Sequence, residues 1–181
     1  MNFNLKISLN DNDYLDYNIF MNFKSPYGRK NIIVSRVLIL LIFLIPIVVN
    51  LGYGGFTVHS FINIIPYLIL LAVFQIFFKP LWIWTLKGHI TSMKKKGKLP
   101  YTEDAEIEFY DDCFVEIAKD SKSEIKYSVL ERVSIVSDKV IYIHFNNAAA
   151  LILPFSAFDS AEVKSKFTAF ISEKCSNIDN Y

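Results

Sequence analysis

The sequence predicts an α+β membrane protein, in which a two-helix transmembrane hairpin carries a small cytoplasmic antiparallel β meander closed by a C-terminal helix. Three observations predict this class. Two long apolar segments lie between residues 32 and 86, and the basic residues beside them lie on one side only. Short segments that alternate between apolar and polar residues then follow between residues 103 and 153, with turn residues separating them.

The two apolar segments are long enough to cross a bilayer. They run from about residue 32 to 51 and from about residue 62 to 86, and a spanning helix needs about 20 mostly apolar residues. The alternative is a pair of buried helices in a soluble protein, but such helices would show a polar face at helical spacing and neither segment does. Arg36 lies near the start of the first segment, where its side chain is expected to reach the headgroups.

The flanking charges predict the orientation of this hairpin. Residues 50–61, which connect the two segments, contain three glycines and no lysine or arginine. Basic residues are concentrated toward the ends of the two segments that lie away from this connection, and in the flanking residues: Lys24, Arg29, Lys30, Arg36, Lys79, Lys87, Lys94, Lys95, Lys96 and Lys98. Cytoplasmic flanks of membrane helices are rich in lysine and arginine. We therefore expect a multi-pass protein of the cell (inner or plasma) membrane with both termini in the cytoplasm.

The N-terminal region, residues 1–31, is predicted to be a cytoplasmic strand and helix. Residues 3–9 alternate as a half-buried strand does, and a strand alone at the N-terminus needs a partner, so we expect it to join the C-terminal sheet. Residues 10–13 are Asn and Asp, which favour a helix start. The helix should break before Pro26 and Gly28.

The region after the hairpin is predicted to comprise a basic linker over residues 87–102, a domain over residues 103–175 and a tail over residues 176–181. Turns are expected at residues 111–112 and 120–123, between short strands. The final helix should start at an Asp or Ser cap near residue 159. Its apolar face, which should cover the sheet, consists of Val163, Phe167, Phe170 and Ile171.

The segments 107–117 (IEFYDDCFVEI), 125–133 (IKYSVLERV) and 151–171 (LILPFSAFDSAEVKSKFTAFI) resemble the YcxB-like family of small bacterial membrane proteins. The resemblance covers the architecture from about residue 3 to 172. It implies a pleckstrin-homology-like (PH-like) domain, which is a curved antiparallel sheet or small barrel closed by a C-terminal helix. The family commonly carries basic residues after Pro154, whereas this chain has Phe155 and Ser156. The resemblance implies no established activity.

Candidate catalytic and metal-binding residues are scattered. His59, His89 and His144 have no metal-ligand spacing, and Asp111 with Asp112 is better explained by a turn than by paired catalytic carboxylates. No nucleophile elbow or phosphate-binding glycine loop is present in the sequence. The formal net charge of +1 does not indicate nucleic-acid binding. We therefore expect no enzyme, no cofactor and no metal.

Three functions remain as hypotheses. The first is a membrane-anchored, non-enzymatic interaction module that presents the C-terminal domain at the cytoplasmic face and binds a protein partner or self-associates. The second is a protein that responds to anionic lipids, with Lys94, Lys95, Lys96 and Lys98 as candidate headgroup contacts. The third is a subunit of a small oligomeric transporter or pore, against which the scarcity of polar residues in the two apolar segments argues.

Overall fold

The computed structural model describes residues 1–136, 139–146 and 149–181, and the chain forms two compact units. One unit comprises residues 1–18 and 92–181, and the other comprises residues 19–91. In chain order the elements are β1 (Phe3–Ser8), α1 (Asp11–Phe23), α2 (Pro26–Gly54), α3 (Val58–Lys95), β2 (Asp104–Phe109), β3 (Cys113–Ala118), β4 (Ser121–Lys126), β5 (Arg132–Val136), β6 (Val140–His144), β7 (Ala150–Pro154), α4 (Ala161–Lys174) and β8 (Ile178–Asn180).

The first unit, called here the two-sheet domain, contains all eight of these strands. They form two four-stranded sheets with the orders β1-β2-β3-β4 and β7-β6-β5-β8. All neighbours are antiparallel except β5 and β8, which are parallel. The predicted α+β class with two long apolar helices is therefore confirmed, and within the described residues the two sheets do not close into one.

The N-terminal strand joins the C-terminal sheet, as its alternation predicted. β1 pairs with β2 over six positions, from Phe3 opposite Phe109 to Ser8 opposite Asp104. Leu5 and Ile7 are buried, at 3% and 4% exposure, whereas Asn4 and Lys6 on the opposite face are exposed. The helices α1, α2 and α3 thus form one long insertion in the chain between two strands that are direct neighbours in the sheet.

The core of the two-sheet domain is aromatic. Phe167 of α4 is fully buried and meets Phe109 edge to face at a centroid distance of 4.8 Å. Phe3 of β1, the strand partner of Phe109, also packs against Phe167, at a centroid distance of 5.4 Å. Ser160 caps α4, since its hydroxyl accepts a hydrogen bond from the Val163 amide over 3.2 Å. The predicted helix start and apolar face of α4 are confirmed.

Two expectations for the C-terminal region are wrong in detail. Residues 120–123 were expected to form a turn, but Ser121 already begins β4 and only Lys119 and Asp120 form the turn. The polar composition reflects an exposed edge strand, which resembles a loop in sequence. Residues 176–181 were expected to be a tail, but Ile178–Asn180 forms β8. A strand of three residues is too short to show a recognisable alternation in sequence. It forms here because it can pair with the edge of β5.

The unit of residues 19–91 contains most of the two long helices. α2 and α3 have the length and mean hydropathy, 3.0 and 2.3, of membrane-spanning helices. Pro46 lies inside α2, while Pro66 and Pro80 lie inside α3. The Arg36 guanidinium lies 5.0 Å from the ring centroid of Phe78 and donates to the Gln75 carbonyl oxygen over 3.4 Å. Arg36 therefore contacts α3, a partner that sequence reasoning did not anticipate.

Candidate functional site

The lysine-rich segment after the hairpin lies at the C-terminal end of α3. Lys95 is the last helical residue, and Gly97, two residues later, adopts a φ of 67°. The Gly97 amide donates to the Lys94 carbonyl oxygen and the Lys98 amide to the Met93 carbonyl oxygen, which is a Schellman cap. Cations are stabilised at this negative end of a helix. The cap therefore holds Lys94, Lys95, Lys96 and Lys98 within one tight, exposed turn.

One of these four lysines already has a partner within the two-sheet domain. Lys94 Nζ lies 3.0 Å from Asp11 Oδ2, and the Tyr101 hydroxyl donates to Asp11 Oδ1 over 2.5 Å. These two hydrogen bonds hold the pKa of Asp11 below its usual value, with Tyr101 as the larger cause. Burial and the bond to Asp11 raise the pKa of Tyr101. The structure thus separates Lys94, which bridges α3 to the start of α1, from Lys95, Lys96 and Lys98.

Strand β4 is a second exposed feature, at the edge of the first sheet. All of its residues except Ile125 are exposed. The Tyr127 amide donates to the Asp112 carbonyl oxygen just beyond the strand. Hydrogen-bonded pairs alternate along an antiparallel ladder. The backbone groups of Lys122, Glu124 and Lys126 therefore point away from β3, where another strand could bond to them.

Comparison with known proteins finds a similarity in the C-terminal part of the chain. A family model described as YcxB-like protein matches residues 109–171. The predicted resemblance is confirmed over these residues. The YcxB-like segment runs from the end of β2 into α4, so it includes β4, whereas β1, the two long helices and β8 lie outside the match. No curated protein and no solved structure matches the chain.

The second sheet, of which β5, β6 and β7 lie within the matched residues, has a buried polar face. Ser134 and Tyr142 are paired on β5 and β6, and His144 lies two residues beyond Tyr142 on the same face. His144 Nε2 lies 3.2 Å from Ser134 Oγ, and the two residues are 1% and 0% exposed. The Tyr17 ring of α1 covers this face, 5.2 Å from the Tyr142 ring. Although Ser134 and His144 lie within hydrogen-bond distance of each other, both side chains are buried and a substrate cannot reach them. This arrangement is therefore a packed polar cluster.

The buried His144 makes the stability of the two-sheet domain depend on pH. Burial lowers the pKa of His144 to about 4, with a smaller contribution from Arg132. At a pH between the folded-state pKa of about 4 and the usual pKa of 6.5, this imidazole binds a proton in the unfolded chain and not in the folded chain. The free energy of unfolding should therefore fall by about 2 kcal/mol as the pH drops from about 7 to about 5.

This pH dependence can be measured by chemical unfolding across that range. The variant His144→Gln should flatten the slope, since it removes the proton that links folding to pH. The matched control His89→Gln changes an exposed histidine and should leave the slope unchanged. If the free energy of unfolding depends on pH equally in wild type and His144→Gln, carboxylates rather than this imidazole cause the loss of stability at low pH.

The remaining chemistry-bearing residues are dispersed. His59 and His89 are exposed, while Cys113 is half-buried and Cys175 buried, both with free thiols. Across residues 1–136, 139–146 and 149–181, no three His, Cys, Asp or Glu side chains are grouped so that they could hold a metal ion. Sequence reasoning did not find the polar face, because Tyr17, Ser134 and His144 are brought together only by tertiary folding. The alternation in β5 and β6 was the one signal, since it places Ser134, Tyr142 and His144 on one side.

Proposed function

We propose that this protein is a membrane-anchored, non-enzymatic interaction module that self-associates through the edge strand β4. In this proposal α2 and α3 cross the cell (inner or plasma) membrane as a multi-pass hairpin, and both termini and the two-sheet domain lie in the cytoplasm. The asymmetry of basic residues supports this orientation. The two antiparallel meanders followed by α4 support a PH-like domain, with the hairpin inserted between its first two strands.

The observation that carries self-association is the charge pattern of β4. If two copies of this strand pair antiparallel around Ser123, Lys122 of one copy lies opposite Glu124 of the other, twice by symmetry. Asp120 then lies opposite Lys126, and the residues whose backbone groups point outward become the hydrogen-bonded pairs. Lysines on an edge ordinarily discourage pairing. Here the same lysines select a register in which each charge meets its opposite.

The test combines native mass spectrometry of the full-length protein with charge exchange on β4. Wild type should form a dimer. Lys122→Glu or Glu124→Lys alone creates two like-charge pairs and should weaken dimerisation by about tenfold or more. The double variant Lys122→Glu/Glu124→Lys should restore it, whereas Glu173→Lys on α4 serves as the exposed control. A monomer, or a dimer indifferent to these changes, would contradict the self-association. A second bound polypeptide would instead support a module for another protein.

A second candidate, an anionic-lipid-responsive protein, is favoured by the exposed lysine turn at the end of α3. Lys95, Lys96 and Lys98 are exposed, and juxtamembrane lysines contribute about 1 kcal/mol each to attraction by anionic lipid. Replacing these three by Gln should abolish retention of anionic lipid on the full-length protein in nanodiscs. Replacing Lys164 and Lys166 of α4 should not. Full-length protein is required, because a fragment of residues 100–181 lacks β1. A transporter or pore subunit gains no comparable support from the described residues.

A further inference from the structure

The two-sheet domain contains a cavity that neither the lysine turn nor the β4 edge explains. It has a volume of about 220 Å³ and lies where β1, the start of α1, β3 and β7 meet. Sites for drug-sized ligands have volumes of about 300–1,000 Å³. This cavity is smaller, so it suits a compact molecule or a single head group.

Aromatic rings form one side of the cavity. Tyr14 and Tyr17 lie one turn apart on α1, and Tyr101 stacks on Tyr14 at a centroid distance of 5.4 Å. Phe145 contributes a fourth ring to the lining. The Tyr101 hydroxyl is oriented toward Asp11 by its hydrogen bond. Faces of aromatic rings attract cations, and binding sites for quaternary ammonium groups commonly use such rings.

A carboxylate lies within this lining. Glu116 of β3 is opposite Ile107, which is fully buried, so Glu116 belongs to the inward face of the first sheet. Its neighbours on that face, Phe114 and Ala118, are apolar. Glu116 is half-buried and lines the cavity. An inward-facing carboxylate in a largely apolar wall is costly unless a cation or hydrogen-bond donor compensates its charge.

The charged groups around the cavity are mostly carboxylates. Asp11, Asp13 and Glu103 all act on the Tyr101 hydroxyl and raise its pKa. Lys94 neutralises Asp11. Arg132 of the second sheet interacts electrostatically with Tyr17, and its Nε atom lies 3.9 Å from Oδ2 of Asp179. Together with Glu116, the carboxylates outnumber the cations near the aromatic lining, which favours a positively charged ligand.

We propose that this cavity binds a substituted ammonium ion, with Glu116 opposing its charge and Tyr14, Tyr17 and Tyr101 contacting its methyl or methylene groups. The ammonium could be supplied by a lipid head group such as that of phosphatidylcholine or phosphatidylethanolamine, or by a free organic amine. The chemistry of recognition is the same in both cases. The argument for this site does not rest on self-association through β4.

The experiment is a calorimetric titration of full-length protein, in nanodiscs of phosphatidylglycerol, with choline and tetramethylammonium. Saturable binding is expected for both. The uncharged isostere of choline, in which carbon replaces nitrogen, should bind at least about tenfold more weakly. Glu116→Gln keeps the side-chain shape and should weaken binding by a similar factor. The control Glu173→Gln removes an exposed carboxylate of α4 that does not line the cavity, and it should bind as wild type does.

A second variant guards against misfolding of the first. Tyr14→Leu removes one aromatic wall and keeps an apolar side chain, so it should weaken binding of tetramethylammonium more than binding of the isostere. Circular dichroism should match that of wild type for both variants. Absence of saturable binding, equal binding of the uncharged isostere, or full binding by Glu116→Gln would overturn the proposal.

The composition of the nanodisc distinguishes the two sources of ligand. If a lipid head group occupies the cavity, adding phosphatidylcholine or phosphatidylethanolamine should progressively weaken the apparent binding of tetramethylammonium. If the ligand is a free amine, binding should be the same at every lipid composition. In either case Glu116→Gln should lose binding of tetramethylammonium. This titration measures ligand binding alone, so its failure is distinguishable from a failure of the proposed membrane orientation or dimerisation.

Discussion

A chain that joins residues 1–18 to residues 92–181 through a flexible glycine-serine linker is expected to fold as a soluble two-sheet domain, whereas residues 92–181 alone are not. The reason is β1, which pairs with β2 at six positions and buries Leu5 and Ile7. Without β1, the edge of β2 is unpaired and the aromatic core loses Phe3 beside Phe167. The two forms can be compared by hydrogen exchange of the β2 amides and by urea unfolding.

Point variants in the linked form refine this test. Leu5→Ala and Ile7→Ala should each destabilise the domain by about 2–5 kcal/mol, the usual range for truncating a buried aliphatic side chain. The control Lys6→Ala, on the exposed face of the same strand, should cost less than about 0.5 kcal/mol. Cooperative unfolding of residues 92–181 alone, at the same urea midpoint as the linked form, would show that β1 is dispensable.

The variant Gly28→Ala is expected to destabilise the unit of residues 19–91 by about 3 kcal/mol or more, at the upper end of the range for overpacking. Inside a helix, alanine is ordinarily better than glycine by about 1 kcal/mol. At Gly28 the added Cβ would collide with the Met21 carbonyl oxygen, which is backbone and cannot move aside. The end of α1 and the start of α2 would have to separate.

Gly88 of α3 provides the matched control, because a Cβ added there meets nothing within 4 Å. Gly88→Ala should therefore leave stability unchanged or raise it by up to about 1 kcal/mol. Thermal unfolding in detergent, followed by the fluorescence of Trp82 and Trp84, reports on this unit directly. If Gly28→Ala and Gly88→Ala had the same effect, the close approach of α1 to α2 would not limit the choice of residue 28.

Ser25 belongs to the same junction and reinforces it. Its hydroxyl donates to the Met21 carbonyl oxygen over 2.6 Å and accepts from the Gly28 amide over 3.1 Å, and the side chain is fully buried. The sequence predicted a break before Pro26 and Gly28, and the break is present between Phe23 and Pro26. Gly28 itself is helical, however. Glycine is required there by the approach of another backbone, which no local pattern records.

Elements with strong periodicity were predictable. The alternating β1 strand and the apolar face of α4 follow from side-chain spacing alone, because burial on one side imposes a period of 2 or 3.6 residues. The two apolar helices follow instead from the length of their apolar segments. β4 was partly missed, since all but one of its residues face solvent and a polar strand lacks that periodicity. The same applies to β8, where three residues give no period to detect.

By itself the sequence determined that this protein has two helices able to span a membrane and a β-rich C-terminal region of YcxB-like character. Only the tertiary structure decided that β1 and β2 are neighbours, and that Glu116 faces the same cavity as Tyr14 and Tyr101. The physical reason is the range of the interactions. Hydrophobic periodicity is a pattern among residues a few positions apart, so the sequence shows it directly. Strand pairing and cavity formation join residues that are separated in the chain by the whole helical insertion.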